Sequence, residues 1–147
     1  MTMYLNPDVW GPHYWHFLHT IAMTYPQTPT EAVKKKYYEL LQNFDLFIPI
    51  NSVGKHYRAL LHNYPITPYL DNKESLVRWM HFMHNKINER LEKPQITLHD
   101  FYAQYYEQYK SPQTKAKEQL LCKKHIIFAV IVVLILCGIF YGMSGFF

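Results

Sequence analysis

The segment "DNKESLVRWMHFMHNKINERLEKP", residues 71 to 94, carries the best-marked helix in the chain. Asp71 or Asn72 is placed to cap its start, and Glu74 stands where it completes a capping box with Asp71, answering two backbone donors that the first turn leaves without partners. Leu76, Trp79, Met80, Met83, Ile87 and Leu91 follow at spacings of three and four, so they form one apolar stripe. Pro94 ends the run, because a proline ring cannot continue a helix. The stripe needs other helices to cover it.

Working outward, the chain supplies them. A first helix is expected from about Pro12 to Tyr25, with Trp15, Leu18, Ala22 and Tyr25 on one face and Pro26 and Pro29 as its stop. Thr30 caps a second, with Glu31 in its first turn, running through Tyr37, Leu40, Leu41 and Phe44 to about Phe47. A third is expected from near Ile50 to near Tyr64, before Pro65 and Pro68. A short fifth starts at Thr97, with Asp100 three residues on, and carries Phe101, Tyr102, Tyr105 and Tyr106. No stretch reads convincingly as a strand. The fold class is therefore all-α: a four-helix bundle with a short fifth helix, whose ring-rich interior matches an aromatic content of 17%.

The last part of the chain differs in kind. From Ile126 to Phe147 there are 22 residues without a charged side chain, a helix of roughly 33 Å at the usual rise per residue and long enough to cross a bilayer. A buried core helix seldom runs so far without a polar face. Lys115, Lys117, Lys123 and Lys124 precede this segment and no charge follows it, so the preference of basic residues for the cytosolic side places the N-terminal domain in the cytosol. "MTMYLNPDVWGPHYW" has no basic region followed by an apolar run, so no secretory signal is expected there. The expected organisation is a helical domain at 1–110, a basic tether at 111–124 and a single-pass, tail-anchoring transmembrane segment at 125–147. Cys122 and Cys137 both fall outside the globular part, so no disulfide staples it. Cys137 reads as a small apolar residue of the span, and Cys122 as a palmitoylation site or an unpaired juxtamembrane thiol.

Nine histidines are many for 147 residues. His16 and His19 on the first helix, and His81 and His84 on the fourth, are each spaced by three and can face one way. Joined across a bundle they would make a metal site, but bundle metals of the di-iron kind also need inward carboxylates, which neither helix offers. They can equally hydrogen-bond to backbone or to one another. A third reading is a flat organic ligand. If helices one and four are neighbours, Trp15, His19, Tyr25, Trp79 and His84 supply planar groups and Asn85 and Asn88 supply amides, while Arg90 and Lys93 end the fourth helix where cations can meet a diphosphate.

The order of three segments points to a family. "WGPHYWHFLHTIAMTYP" at 10–26, "IPINSVGKHY" at 48–57 and "WMHFMHNKINERLEKP" at 79–94 resemble the Erv/ALR-type FAD-dependent sulfhydryl oxidases, especially the short viral members. The resemblance implies FAD held inside a four-helix bundle with a short fifth helix, in a homodimer. By that resemblance Trp10, Gly11, Trp15, His19, Tyr25, His84, Asn85, Asn88, Leu91 and Lys93 are the cofactor-binding candidates. Glu92 stands where such proteins usually carry Gly or another small or neutral residue. No metal and no nucleic-acid partner are implied, and the membrane is a viral or host internal one.

The middle segment departs from the pattern. The family's redox centre is Pro-Cys-x-x-Cys at the start of the third helix, where the positive helix end lowers a thiol pKa. Here Pro49 is kept, as is the following "GKHY", but Ile50 and Val53 hold the two cysteine positions, leaving no catalytic residue intact. In such enzymes a substrate dithiol exchanges with that disulfide, and the electrons pass to FAD and then to oxygen. Branched hydrocarbon side chains offer neither nucleophile nor leaving group, so no dithiol oxidase activity is expected from this chain. Two functions remain open. One is a sulfhydryl oxidase by descent, disabled or working with thiols from a protein partner; the other is a non-catalytic FAD-binding scaffold or dimerisation partner of an active relative.

Overall fold

The computed structural model describes residues 5–144, which leaves the first four residues of the expected domain and the last three of the expected anchor outside it. Among the described residues there are six α-helices and no strand: α1 (Pro7–Met23), α2 (Glu31–Gln42), α3 (Asn51–Asn63), α4 (Lys73–Arg90), α5 (Leu98–Glu107) and α6 (Pro112–Ser144). Short 3-10 turns at Phe44–Phe47 and Thr67–Tyr69 complete the set. The chain divides into two compact units, one ending at Phe101 and one beginning at Tyr102.

In the first unit α1 packs chiefly on α4, while α3 packs on the 3-10 turn that follows α2. Leu18, Ala22, Met23 and Tyr25 meet a core that includes Leu41, Phe44, Tyr57, Leu61, Leu76, Trp79, Met80 and Met83, all buried. The rings also use their polar ends. Tyr25 donates its hydroxyl to the Leu70 carbonyl at 2.8 Å, Tyr57 to the Leu41 carbonyl at 2.9 Å, and the Trp79 indole N–H reaches the Tyr64 carbonyl at 3.1 Å. Each bond lets a large ring be buried without stranding a donor.

Several boundaries differ from the expectation for local reasons. α1 starts five residues earlier than Pro12: the Asn6 side chain accepts the Asp8 N–H, Pro7 takes the first helical position, and Pro12 lies inside the helix. α2 stops at Gln42, where the Asn43 side-chain amide donates to the Glu39 carbonyl, and the chain tightens into the 3-10 turn. That exposes Phe47, at 63% of its full accessible area, and leaves its carbonyl to accept the Tyr14 hydroxyl. α4 is capped by Asn72, whose side chain accepts the Ser75 N–H at 2.9 Å. Because the helix begins one residue later than a box with Asp71 requires, Glu74 pairs instead with Arg78 and Asp71 with Lys34. The fifth helix behaves as read, with Thr97 accepting the Asp100 N–H through its hydroxyl and donating to the Asp100 carboxylate.

In the second unit α6 runs 33 residues without a break, so residues 112–124 of the basic segment are helical and continuous with the apolar run. Its apolar side chains, from Leu120 and Leu121 through Leu136, are exposed.

Candidate functional site

α1 and α4 bring the ring candidates together. Trp15 lies flat on His84, with ring centres 4.0 Å apart and planes within 13°, and also stacks on His19 at 5.5 Å. His19 Nε2 and His84 Nδ1 are 2.9 Å apart and share a hydrogen bond across the two helices. Phe101 closes the far side of His19 at 4.5 Å. The i, i+4 spacing of Trp15 and His19, and the place of His84 one turn beyond Met80, put all three on the seam between the helices.

Burial sets the charge of this cluster. His19 is 6% exposed, and loss of water, followed by the charges of His84, His81 and His16, lowers its pKa to about 3. Burial first, then His81 and Lys93, lowers that of His84 to about 4. Both rings are neutral near pH 7. One nitrogen of each is spent on the shared bond, and His19 Nδ1 is buried with no hydrogen-bond partner. An orphaned ring nitrogen beside a stacked indole is suited to a planar ligand with polar edges. Among the described residues no group of three His, Cys, Asp or Glu is arranged for a metal ion.

The start of α3 carries Ile50 and Val53, the two branched side chains at the positions where the resemblance expects the redox pair. Ile50 is the N-cap residue in extended conformation, and its carbonyl accepts both the Val53 and the Gly54 N–H at 3.0 Å. Ile50 and Val53 are half-buried, while Asn51 and Ser52 between them are exposed. Gly54 lies so close to the preceding 3-10 turn that a Cβ there would sit 2.8 Å from the Asp45 carbonyl oxygen. Arg58, one turn on, binds the buried Asp45 carboxylate through Nε and Nη2. Together these contacts fix the N-terminus of α3 against the turn.

Compared with known proteins, residues 12–110 match the model of the Erv1/Alr family. The chain belongs to that family. Over 94 residues it is 33% identical to a probable FAD-linked sulfhydryl oxidase of Acanthamoeba polyphaga mimivirus, covering 63% of this chain and 66% of that protein. The mitochondrial FAD-linked sulfhydryl oxidase of Schizosaccharomyces pombe is 38% identical over 90 residues, 60% of this chain and 50% of its own length. The chain thus spans between half and two thirds of these relatives. It covers 81% of an FAD-linked sulfhydryl oxidase of African swine fever virus, at 32% identity over 67% of this chain. Among solved structures, the FAD-binding domain of Erv1 from Saccharomyces cerevisiae superposes with a TM-score of 0.65 at 27% identity, covering 71% of this chain and 97% of that one.

The remaining candidates of this family member are spread around the stack. Asn85 is spent on the backbone after α4: its amide donates to the Ile96 carbonyl at 2.9 Å and its oxygen accepts the Ile96 N–H at 3.1 Å. Asn88 reaches the Pro94 carbonyl at 3.4 Å, and His81 the Ile96 carbonyl at 2.8 Å. Tyr25 belongs to the core, with its ring edge-on to Tyr37. Trp10 is half-buried, its indole N–H on the Leu5 carbonyl and its ring edge-on to Tyr14. Gly11 has open space where a Cβ would point. Leu91, the C-cap of α4, is exposed, and Lys93 pairs with Asp8 at 3.3 Å.

Glu92 explains why a small residue suits its place. Its φ of 53° is left-handed, with the Lys93 N–H bonded to the Asn88 carbonyl and the Glu92 N–H to the Glu89 carbonyl. That is the Schellman ending of a helix, in which glycine is favoured because it has no Cβ to clash. His56 went unread in the sequence. It lies one turn after Val53, its Nε2 is buried without a partner, and burial and then the Arg90 charge lower its pKa. The signal was present in "GKHY", where this histidine stands three residues beyond Val53.

Proposed function

We propose that this chain is an FAD-binding member of the Erv1/Alr family in which the thiol-exchange half of the chemistry has been removed. The observation that carries the proposal is the flat Trp15–His84 stack bonded to a buried His19 whose second nitrogen lacks a partner. The names of the relatives and the likeness to a solved FAD-binding domain support FAD as the ligand. Trp15 and His84 would offer stacking faces, His19 Nδ1 a polar contact, Gly11 the room for close approach and Lys93 a cation for the phosphates. Tyr25, Asn85 and Asn88 act as posts: they hold the Leu70 loop and residues 94–97 in place around the stack. Trp10 and Leu91 border the same region from the α1 and α4 ends.

FAD, when bound, supplies a two-electron carrier able to reduce oxygen. The chain's own part ends short of that chemistry. At Ile50 and Val53 there is no disulfide for a substrate thiolate to attack and no thiol to leave from it and hand on the electrons, although the helix start that would lower a thiol pKa is in place. The chain is therefore a flavin-binding scaffold rather than an oxidase, and a homodimer or a pair with an active, thiol-bearing relative is the assembly in which such a scaffold would act. Residues 1–110 form the flavin-binding domain, 111–124 a basic segment, and 125–147 a single-pass anchor that keeps the domain on the cytosolic side of a viral or host internal membrane. In support of the anchor, α6 is the one helix among the described residues long and apolar enough to cross a membrane, and its apolar side chains have no cover.

Absorbance of the purified full chain tests the first half: a flavin spectrum is expected, and a colourless protein that takes up no added FAD would overturn it. Oxygen consumption with a small dithiol tests the second. Turnover stays at background, and a sustained rate would sink the scaffold reading.

A further inference from the structure

The net charge of the chain is unevenly placed. Up to residue 106 there are ten Lys and Arg against nine Asp and Glu; from residue 107 onward there are five Lys against two Glu. Both of those glutamates are already answered. Lys110 binds Glu107 and Glu118, each at 2.7 Å, so a single ammonium sits between two carboxylates. No acidic residue follows Glu118. Lys117, Lys123 and Lys124 have no ion pair among the described residues, Lys115 feels the Glu107 carboxylate without pairing with it, and all four lie within the eleven residues before Ile126 opens the apolar run.

Their arrangement on α6 says how they would be used. At about 100° per residue, Lys117 and Lys124 share one face, Lys123 lies about a quarter-turn away, and Lys115 points opposite to the first pair. A helix lying in the plane of a membrane gathers its cations on one polar face. Cations spread over about 200° of the circumference, with Lys115 opposite Lys124, fit a helix standing upright among headgroups better than one lying flat. The axial spread fits too. Lys123 and Lys124 adjoin the apolar run, and Lys115 is nine residues further out than Lys124, about 14 Å along the axis. The inner pair reaches the headgroup layer directly, and the outer pair stays within about one to two Debye lengths of it. Leu120 and Leu121 are exposed between the two pairs and extend the apolar surface toward the same layer.

The geometry points to the 115–124 segment of α6 as a collar for anionic phospholipid headgroups, which deepens the membrane-anchor reading and rests on it. The collar would gather phosphatidylserine-like lipids around the anchor and bias the protein toward anionic leaflets.

The test uses the full chain reconstituted in phosphatidylcholine vesicles that contain a minor fraction of nitroxide-labelled phosphatidylserine or, in parallel, labelled phosphatidylcholine. The spectrum of the motionally restricted lipid gives the relative affinity of the two at the protein boundary. At low salt phosphatidylserine is favoured about fivefold, the size expected for one engaged lysine, and the preference falls toward parity as salt rises. Replacing Lys115, Lys117, Lys123 and Lys124 together by Gln abolishes the preference, while replacing all four by Arg keeps it. No preference in the unaltered chain, an undiminished one in the Gln variant, or full displacement of the labelled phosphatidylserine by added single-stranded RNA would each overturn the collar. A chain stripped from the vesicles by alkaline carbonate would instead show that α6 is not a span, a failure distinct from an inserted chain with no lipid preference.

Discussion

On the function proposed above, the α1–α4 seam and the start of α3 are two halves of one site, treated in opposite ways. At the seam the side chains are kept: Trp15, His19 and His84 stack and bond. At the start of α3 the backbone is kept, with Ile50 as cap and Gly54 tight against Asp45, while the reactive atoms are gone. The contrast shows that a ligand platform and an exchange centre depend on different things. A platform needs ring surface and burial, which many neighbours maintain together. An exchange centre needs two particular sulfurs, and hydrocarbon can replace both without disturbing the helix they began.

The largest test of that contrast restores the missing atoms. The double change Ile50→Cys with Val53→Cys is expected to raise dithiol-driven oxygen consumption from background to a readily measured rate, whereas either change alone stays at background because exchange needs a resolving thiol. An inert double variant that still carries flavin would mean the α3 frame has drifted as well. Next in size is Gly54→Ala. Its Cβ would press on a backbone oxygen fixed by the Asp45–Arg58 pair, so denaturant melts should show a loss of about 1–3 kcal/mol. A neutral outcome would show that the turn yields and that the start of α3 is less rigid than the seam.

Acid should act on the seam instead. His19 and His84 have folded pKa values near 3 and 4, both below the ordinary 6.5, so the unfolded chain takes up protons first. Their neutral pairing leaves stability intact above pH 6.5, and stability is lost progressively as pH falls from there through about 4 and then 3. Thermal melts across that range check the sign. His84→Phe should flatten the part of the slope that belongs to His84, and an unchanged slope would move the titration elsewhere. The smallest effect concerns the end of α4: Glu92→Gly relieves a left-handed residue and should stabilise the fold by about 1 kcal/mol.

Much of this was legible in the chain. The stripe Leu76, Trp79, Met80, Met83 is buried as its spacing requires, Thr97 and Asp100 cap α5, and the order of three motifs shows the family. What escaped was decided by competition between nearby groups. Asn72 took the cap of α4 by accepting the Ser75 N–H, and Asp71, left one residue outside the helix, pairs with Lys34. Pro7, not Pro12, took the first helical position of α1, since the Asn6 side chain stood ready before it.

Side-chain type and spacing follow local rules, so the sequence by itself determined the helices, the apolar span, the kinship and the absence of the two thiols. Which candidates share the seam, which polar groups are spent as posts, and which nitrogen is left buried without a partner were decided only by the tertiary structure. Those outcomes depend on neighbours far apart in the chain: His19 meets His84 across 65 residues, and its neutrality comes from the water that their packing excludes.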